Sequence, residues 1–155
     1  MTKRTDDLKT SLVCALIGMF TLIVSLSGCS QNSTTVTLSK EPVMLCDKPT
    51  VLKLEQPLCR KNKSLSIRMQ LNETWTPEPP WQAIKLQDGQ SVRLTAALIS
   101  DKGDHYYPKA IGAGGGLEIC FRDSVPKDAG IVKITLGCTY PLTAQNIVWV
   151  DWKPK

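Results

Sequence analysis

Short segments in which apolar and polar side chains alternate recur along most of the chain. A period of two places the apolar side chains on one face of an extended strand, so each segment predicts a strand with one buried face. The clearest segments span residues 65–71, 92–98, 117–121, 132–136 and 147–152, and weaker ones span 36–38, 51–54 and 83–86. After residue 35, no segment keeps a helical period over three turns. The sequence therefore predicts an all-β fold.

Turn-forming residues separate these segments. Asp88 and Gly89 precede one strong segment, and residues 101–104 follow it with two aspartates and a glycine. Three prolines between residues 76 and 80 predict a stiff loop. The glycine-rich run at 112–116 does not match a dinucleotide-binding fingerprint, because leucine replaces the third glycine and a predicted strand follows instead of a helix. We therefore interpret this run as a flexible hairpin connection. About seven short strands separated by turns are typical of an antiparallel immunoglobulin-like β-sandwich.

The amino-terminal region has the layout of a secretory signal. Lys3, Arg4 and Lys9 precede an uncharged, mainly apolar stretch at 11–26, which is 16 residues long. A permanent membrane span needs about 18–20 apolar residues, so this stretch is better suited to a cleaved, helical signal peptide.

The residues that follow, Leu26-Ser27-Gly28-Cys29, resemble the lipobox of bacterial lipoproteins. The resemblance implies a signal peptide at 1–28, cleavage before Cys29, and attachment of diacylglycerol and palmitate to the Cys29 thiol. The polar run that follows predicts a short tether at 29–35, and the strand pattern predicts a β-sandwich domain at 36–155. The alternative is a signal anchor, or an ordinary signal peptide with an unrelated cysteine.

The same resemblance implies a place in the cell. The residue after the lipidated cysteine influences sorting in diderm bacteria, and here it is Ser30, not the aspartate typical of inner-membrane retention. We therefore expect the acyl chains on Cys29 to anchor the protein in the outer membrane, facing the periplasm. Two or three acyl chains give the firm anchoring that one chain does not.

Four cysteines lie beyond the lipobox: Cys46, Cys59, Cys120 and Cys138. An even number of thiols in an oxidising compartment predicts disulfides. Three connectivities are possible, and closeness in sequence favours Cys46–Cys59 and Cys120–Cys138. A zinc site is disfavoured, because no CxxC pair occurs and the single histidine has no partner at ligand spacing.

The search for catalytic, metal-binding or cofactor-binding motifs is negative. The sequence has no GxSxG elbow for His105 to serve, and we expect the cysteines to be oxidised, so we assign no catalytic residue, metal or cofactor. Residues 29–155 have 16 basic and 12 acidic side chains, and a net charge of +4 without a basic stripe argues against nucleic acid.

The aromatic residues are the candidate binding residues. Tryptophan and tyrosine combine a large apolar area with a polar group and are enriched at binding surfaces. The candidates are Trp75, Trp81, Tyr106 and Tyr107 in predicted loops, and Trp149 and Trp152 in the last predicted strand. That strand has apolar side chains on both faces, so we expect one tryptophan in the core and the other at a contact surface.

These observations favour a membrane-anchored, non-enzymatic module that binds another envelope protein or acts as its accessory. The alternative is a lipoprotein that binds glycan or peptidoglycan, or that inhibits a lysozyme-type hydrolase.

The anchor gives a first prediction. Replacing the thiol in a Cys29→Ala variant should abolish acylation and release the protein from the membrane fraction, because that thiol is the acyl acceptor of the lipobox. Palmitate labelling and membrane fractionation measure both effects. Continued labelling and membrane association of the variant would show that the lipobox assignment is wrong.

Overall fold

The computed structural model describes residues 33–153, and this part of the chain is all β apart from one turn of 3-10 helix. The predicted signal peptide and Cys29 lie outside the described residues. The strands are β1 (Ser33–Ser39), β2 (Val43–Leu45), β3 (Thr50–Leu58), β4 (Ser64–Leu71), β5 (Trp75–Glu78), β6 (Ala83–Leu86), β7 (Ser91–Ser100), β8 (His105–Tyr106), β9 (Ala110–Ala113), β10 (Leu117–Cys120), β11 (Ile131–Cys138) and β12 (Leu142–Trp152). The 3-10 helix is Arg122–Ser124.

The strands form two antiparallel sheets. Sheet I has the order β1-β12-β4-β10-β9, and β2 pairs with β12 beside β1. Sheet II has the order β3-β11-β7-β6-β5, and β8 also pairs with β7. Strands β6 and β8 therefore share one edge of β7, while β11 occupies the other edge.

One hydrophobic core receives side chains from both sheets. Sheet I contributes Leu65, Ile67, Leu117 and Trp149, and sheet II contributes Val92, Leu98, Ile131 and Ile134, all of them almost fully buried. The core residues of β4 and β7 follow the predicted period of two. No helix within the described residues is long and apolar enough to span a membrane.

The predicted strands agree with the structure, and four short strands add to them. Each of the eight predicted segments overlaps a strand, and the glycine-rich run does connect a hairpin, β9–β10. The predicted loop at 76–80 is wrong in its first half, because residues 76–78 belong to β5. Proline is tolerated there since β5 is the edge of its sheet.

The last strand, β12, separates the two tryptophans that its sequence contains. Ile147 and Trp149 point into the core with 0% and 1% of their surface exposed, whereas Trp152 is on the outer face with 37% exposed. Trp149 is therefore a core residue and is not accessible to a partner.

This difference gives a stability prediction. A Trp149→Ala variant should lose about 3–5 kcal/mol of the free energy of unfolding, because it leaves a large cavity between the sheets. The Trp152→Ala variant should change it by less than about 1 kcal/mol, as surface substitutions do. Urea unfolding followed by circular dichroism measures both values, and equal losses would contradict the assignment of the two faces.

Candidate ligand-binding cleft

A gap in sheet II lies along the edge of β7 that β6 and β8 share. Strand β6 pairs with residues 91–93, and the N–H of Leu94 still donates to the carbonyl of Gln82 at 3.3 Å. Strand β8 pairs with Leu98 and Ile99. Within the described part of the chain, residues 95–97 have no strand partner on this side.

The main chain of Ala96 faces this gap. Along an antiparallel strand, successive residues direct their N–H and C=O groups to opposite neighbours. The N–H of Leu94 and that of Ser100 bond on the side of β6 and β8, whereas the carbonyl of Arg93 accepts from Thr139 on the other side. Ala96 is in phase with Leu94, so its donor and acceptor point into the gap.

The gap opens into a cleft of about 350 Å³, a size that suits a small ligand or an anchoring side chain. The cleft is lined by Pro49, Trp81, Gln82, Arg93, Leu94, Thr95, Ala96, Ala97, Tyr107, Pro108, Ala110, Ile111, Ile119 and Thr135. Four of these, Leu94, Ala96, Ile111 and Ile119, are buried core residues, so the cleft reaches the hydrophobic core.

Both main-chain groups of Trp81, its N–H and its carbonyl, form hydrogen bonds that hold the residue at the cleft. Its N–H donates to the carbonyl of Glu78 at 2.9 Å, across the cis Pro79–Pro80 peptide, and its carbonyl accepts from the N–H of Ile111 at 2.7 Å. Its φ is 67°, a conformation uncommon for a bulky side chain. The second bond joins the β5–β6 turn of sheet II to β9 of sheet I.

Tyr107 lies at the cleft on the connection from β8 to β9. Its ring meets that of His105 edge-on, with 6.4 Å between the ring centroids.

Two residues after Tyr107, the N–H of Lys109 donates to the carbonyl of Cys120 at 2.8 Å. The Lys109 ammonium is 2.6 Å from a carboxylate oxygen of Asp123, and this hydrogen bond lowers the pKa of Asp123 below its ordinary value.

Exposure distinguishes the aromatic candidates from one another. Trp81 and Tyr107 are 52% and 62% exposed and line the same cleft. Trp75 and Tyr106 do not lie in loops as predicted: they belong to β5 and β8, are half-buried and pack against the core. The structure thus brings two of the six candidates together at one site.

Arg93 is the charged residue among the described side chains that line the cleft. It is exposed, and neither ion pair found in residues 33–153 involves it. Gln82, Thr95 and Thr135 add neutral polar groups. The lining therefore offers a ligand apolar contacts, hydrogen-bonding groups and one positive charge.

The four cysteines within residues 33–153 are thiols in the structure. Cys59 is exposed, Cys46 and Cys120 are half-buried, and Cys138 is buried. Cys120 belongs to sheet I and Cys138 to sheet II, and the expected Cys46–Cys59 and Cys120–Cys138 bonds are absent from the described residues. Burial, and after it the charge of Glu118, raises the pKa of Cys120. No group of three metal-ligating His, Cys, Asp or Glu side chains occurs within 33–153.

The sequence indicated Trp81 and Tyr107 as candidates, but Arg93 and Ala96 were missed. Both lie in a segment that alternates as any half-buried strand does. Their role at the cleft depends on two separate strands ending along the same edge of β7, and periodicity contains no information on that pairing.

Comparison with known proteins gives no relative: no protein-family model, curated protein or solved structure matches this chain.

Proposed function

We propose that this chain is a lipid-anchored, non-enzymatic module of the bacterial outer membrane, built on an immunoglobulin-like sandwich, that binds a segment of another envelope protein. The observation that supports it most is the cleft, where the exposed Trp81 and Tyr107 accompany the open main chain of Ala96. Tryptophan and tyrosine are frequent among the residues that contribute most to protein–protein binding.

The composition of the cleft suits a peptide segment. An apolar side chain of the partner would occupy the space above Leu94 and Ile119, and an adjacent peptide group would bond to Ala96. Such main-chain bonds at a sheet edge are a recurring mode of peptide recognition. Arg93 would favour an acidic side chain or a carboxylate beside the apolar one.

The position of β1 supports a partner close to the membrane. Strand β1 begins at Ser33, so residues 33–35 of the expected tether are strand, and residues 30–32 separate it from Cys29. Three extended residues span about 10 Å. A protein acylated at Cys29 would therefore hold this domain against the bilayer surface.

A glycan ligand is the second candidate, and the exposure of the Trp81 and Tyr107 rings favours it. Saccharides stack on exposed aromatic faces, and peptidoglycan lies within the periplasm. Most of the lining surface of the cleft is apolar, however, and sugars need many hydrogen-bonding groups. The same alternative includes a lipoprotein that inhibits a lysozyme-type hydrolase.

Site-specific cross-linking in cells tests the proposal. A photoreactive amino acid at Gln82, an exposed lining residue, should give a discrete adduct with another protein, whereas one at the exposed Lys127 should not. Adding Trp81→Ala or Tyr107→Ala should reduce the adduct at least tenfold, because truncating an aromatic anchor costs about 2 kcal/mol or more of binding.

The matched control is Trp152→Ala, which removes an exposed aromatic side chain from the other sheet. It should leave the Gln82 adduct unchanged. If Trp152→Ala removes the adduct while Trp81→Ala does not, the binding surface is the outer face of sheet I. If no protein adduct forms and the protein sediments with purified peptidoglycan in a Trp81-dependent manner, the glycan alternative is correct.

A further inference from the structure

Two cysteines lie next to each other near the turn between β11 and β12. Cys46 directly follows β2, and Cys138 ends β11. The N–H of Cys138 donates to the carbonyl of Cys46 at 2.9 Å. A main-chain bond of this kind brings two chains about as close as antiparallel strands, whose facing Cα atoms are about 4.5–5.5 Å apart, and disulfides span about 4.4–6.8 Å between Cα atoms.

Both residues lie beside the same short stretch of chain, and the Cys46 thiol donates to the carbonyl of Lys48 at 3.3 Å. The Cys138 thiol donates to the carbonyl of Tyr140 at 2.7 Å. Leu45 pairs with Leu142, so Cys46, the next residue, is brought alongside the same turn. Burial raises the pKa of Cys138, and the nearby Cys46 raises it further.

The other two cysteines are placed elsewhere. Cys59 is exposed and directly follows β3 of sheet II. Cys120 lies in β10 of sheet I, and the charged groups that act on it are Glu118, Arg122 and Arg68.

We propose that Cys46 and Cys138 form a disulfide that joins the two sheets and fixes the bend at 46–49. This linkage does not rest on the proposed function. It replaces both pairs that closeness in sequence favours, and it leaves Cys59 and Cys120 outside the bond.

The bend that this bond would hold is one wall of the cleft. Pro49 lines the cleft, and its Cα lies 3.4 Å from where a Cβ on Gly137 would be. The carbonyl oxygen of Cys46 is 3.0 Å from the same point. The bend therefore rests on Gly137 with no room for a side chain between them, and the disulfide would keep it there.

The chemistry requires a disulfide oxidant. The thiolate of Cys46, the more exposed of the two, attacks oxidised glutathione and forms a mixed disulfide as glutathione thiolate leaves. The Cys138 thiolate then attacks the Cys46 sulfur, and a second glutathione departs. The two cysteines lose two protons and two electrons, and the electrons reduce one glutathione disulfide to two thiols.

Peptide mapping of the purified full-length protein tests the pairing. After reduction, exposure to oxidised glutathione and alkylation of the remaining thiols, mass spectrometry should find a linked pair of peptides containing Cys46 and Cys138. A Cys59→Ser/Cys120→Ser double variant should form the same bond. Oxidation should raise the melting temperature of both proteins by about 10 °C, because the bond closes a long loop.

The Cys46→Ser variant is the control that retains the buried Cys138 and so preserves the core. Its melting temperature should not change on oxidation. Linkage of Cys46 to Cys59, or of Cys120 to Cys138, would overturn the proposal. So would alkylation of both Cys46 and Cys138 after oxidation, with no change in melting temperature.

Discussion

Strand β12 is the element on which sheet I depends, because it pairs with three strands. Its first half pairs with β2, its second half with β1, and its opposite edge with β4. A register shift between Gln145 and Val148 interrupts the pairing with β4, and Asn146 within it has a φ of 52°. An extra residue of this kind reverses which side chains face inward beyond it. Leu142 and Ala144 are buried before the bulge, and Ile147 and Trp149 after it.

The inward face of β12 ends at a charged residue, and the chain satisfies that charge with main-chain donors. Asp151 is 1% exposed, and its carboxylate accepts hydrogen bonds from the N–H groups of Lys61 and Asn62. Arg60, 8% exposed, donates through Nε to the carbonyl of Val125 at 2.7 Å. A buried carboxylate without such partners would be strongly destabilising. Arg60 therefore has a structural role, and the next two residues, Lys61 and Asn62, connect their segment to the end of β12 through Asp151.

The sequence was informative wherever a strand alternates without interruption, as β4 and β7 do. It was less informative for β12, whose period breaks at Asn146, so only the part after the bulge was predicted. Strand β5 contains Pro77, which argues against a strand unless the strand is at an edge, and sheet order is not visible in a sequence. The same limit applies to the cleft. Residue type alone makes Trp81 and Tyr107 candidates, whereas the open main chain at Ala96 results from the pairing of strands that are distant in sequence.

The outer edges of the two sheets are poorly suited to adding a further strand. Strand β3 contains Pro57 and β5 contains Pro77, so each edge of sheet II lacks a main-chain donor at one position. In sheet I, β1 has a register shift between Thr37 and Ser39, and β9 is four residues long. Prolines, bulges and short strands are the common means by which proteins prevent pairing at edges. The gap at Ala96 differs from these edges because it lies inside sheet II, between β6 and β8. Trp81 and Tyr107 line the cleft into which this gap opens. Under the proposed function, a partner would bond to the main chain of Ala96 beside these two side chains, at a place distinct from the edges that prolines, bulges and short strands protect.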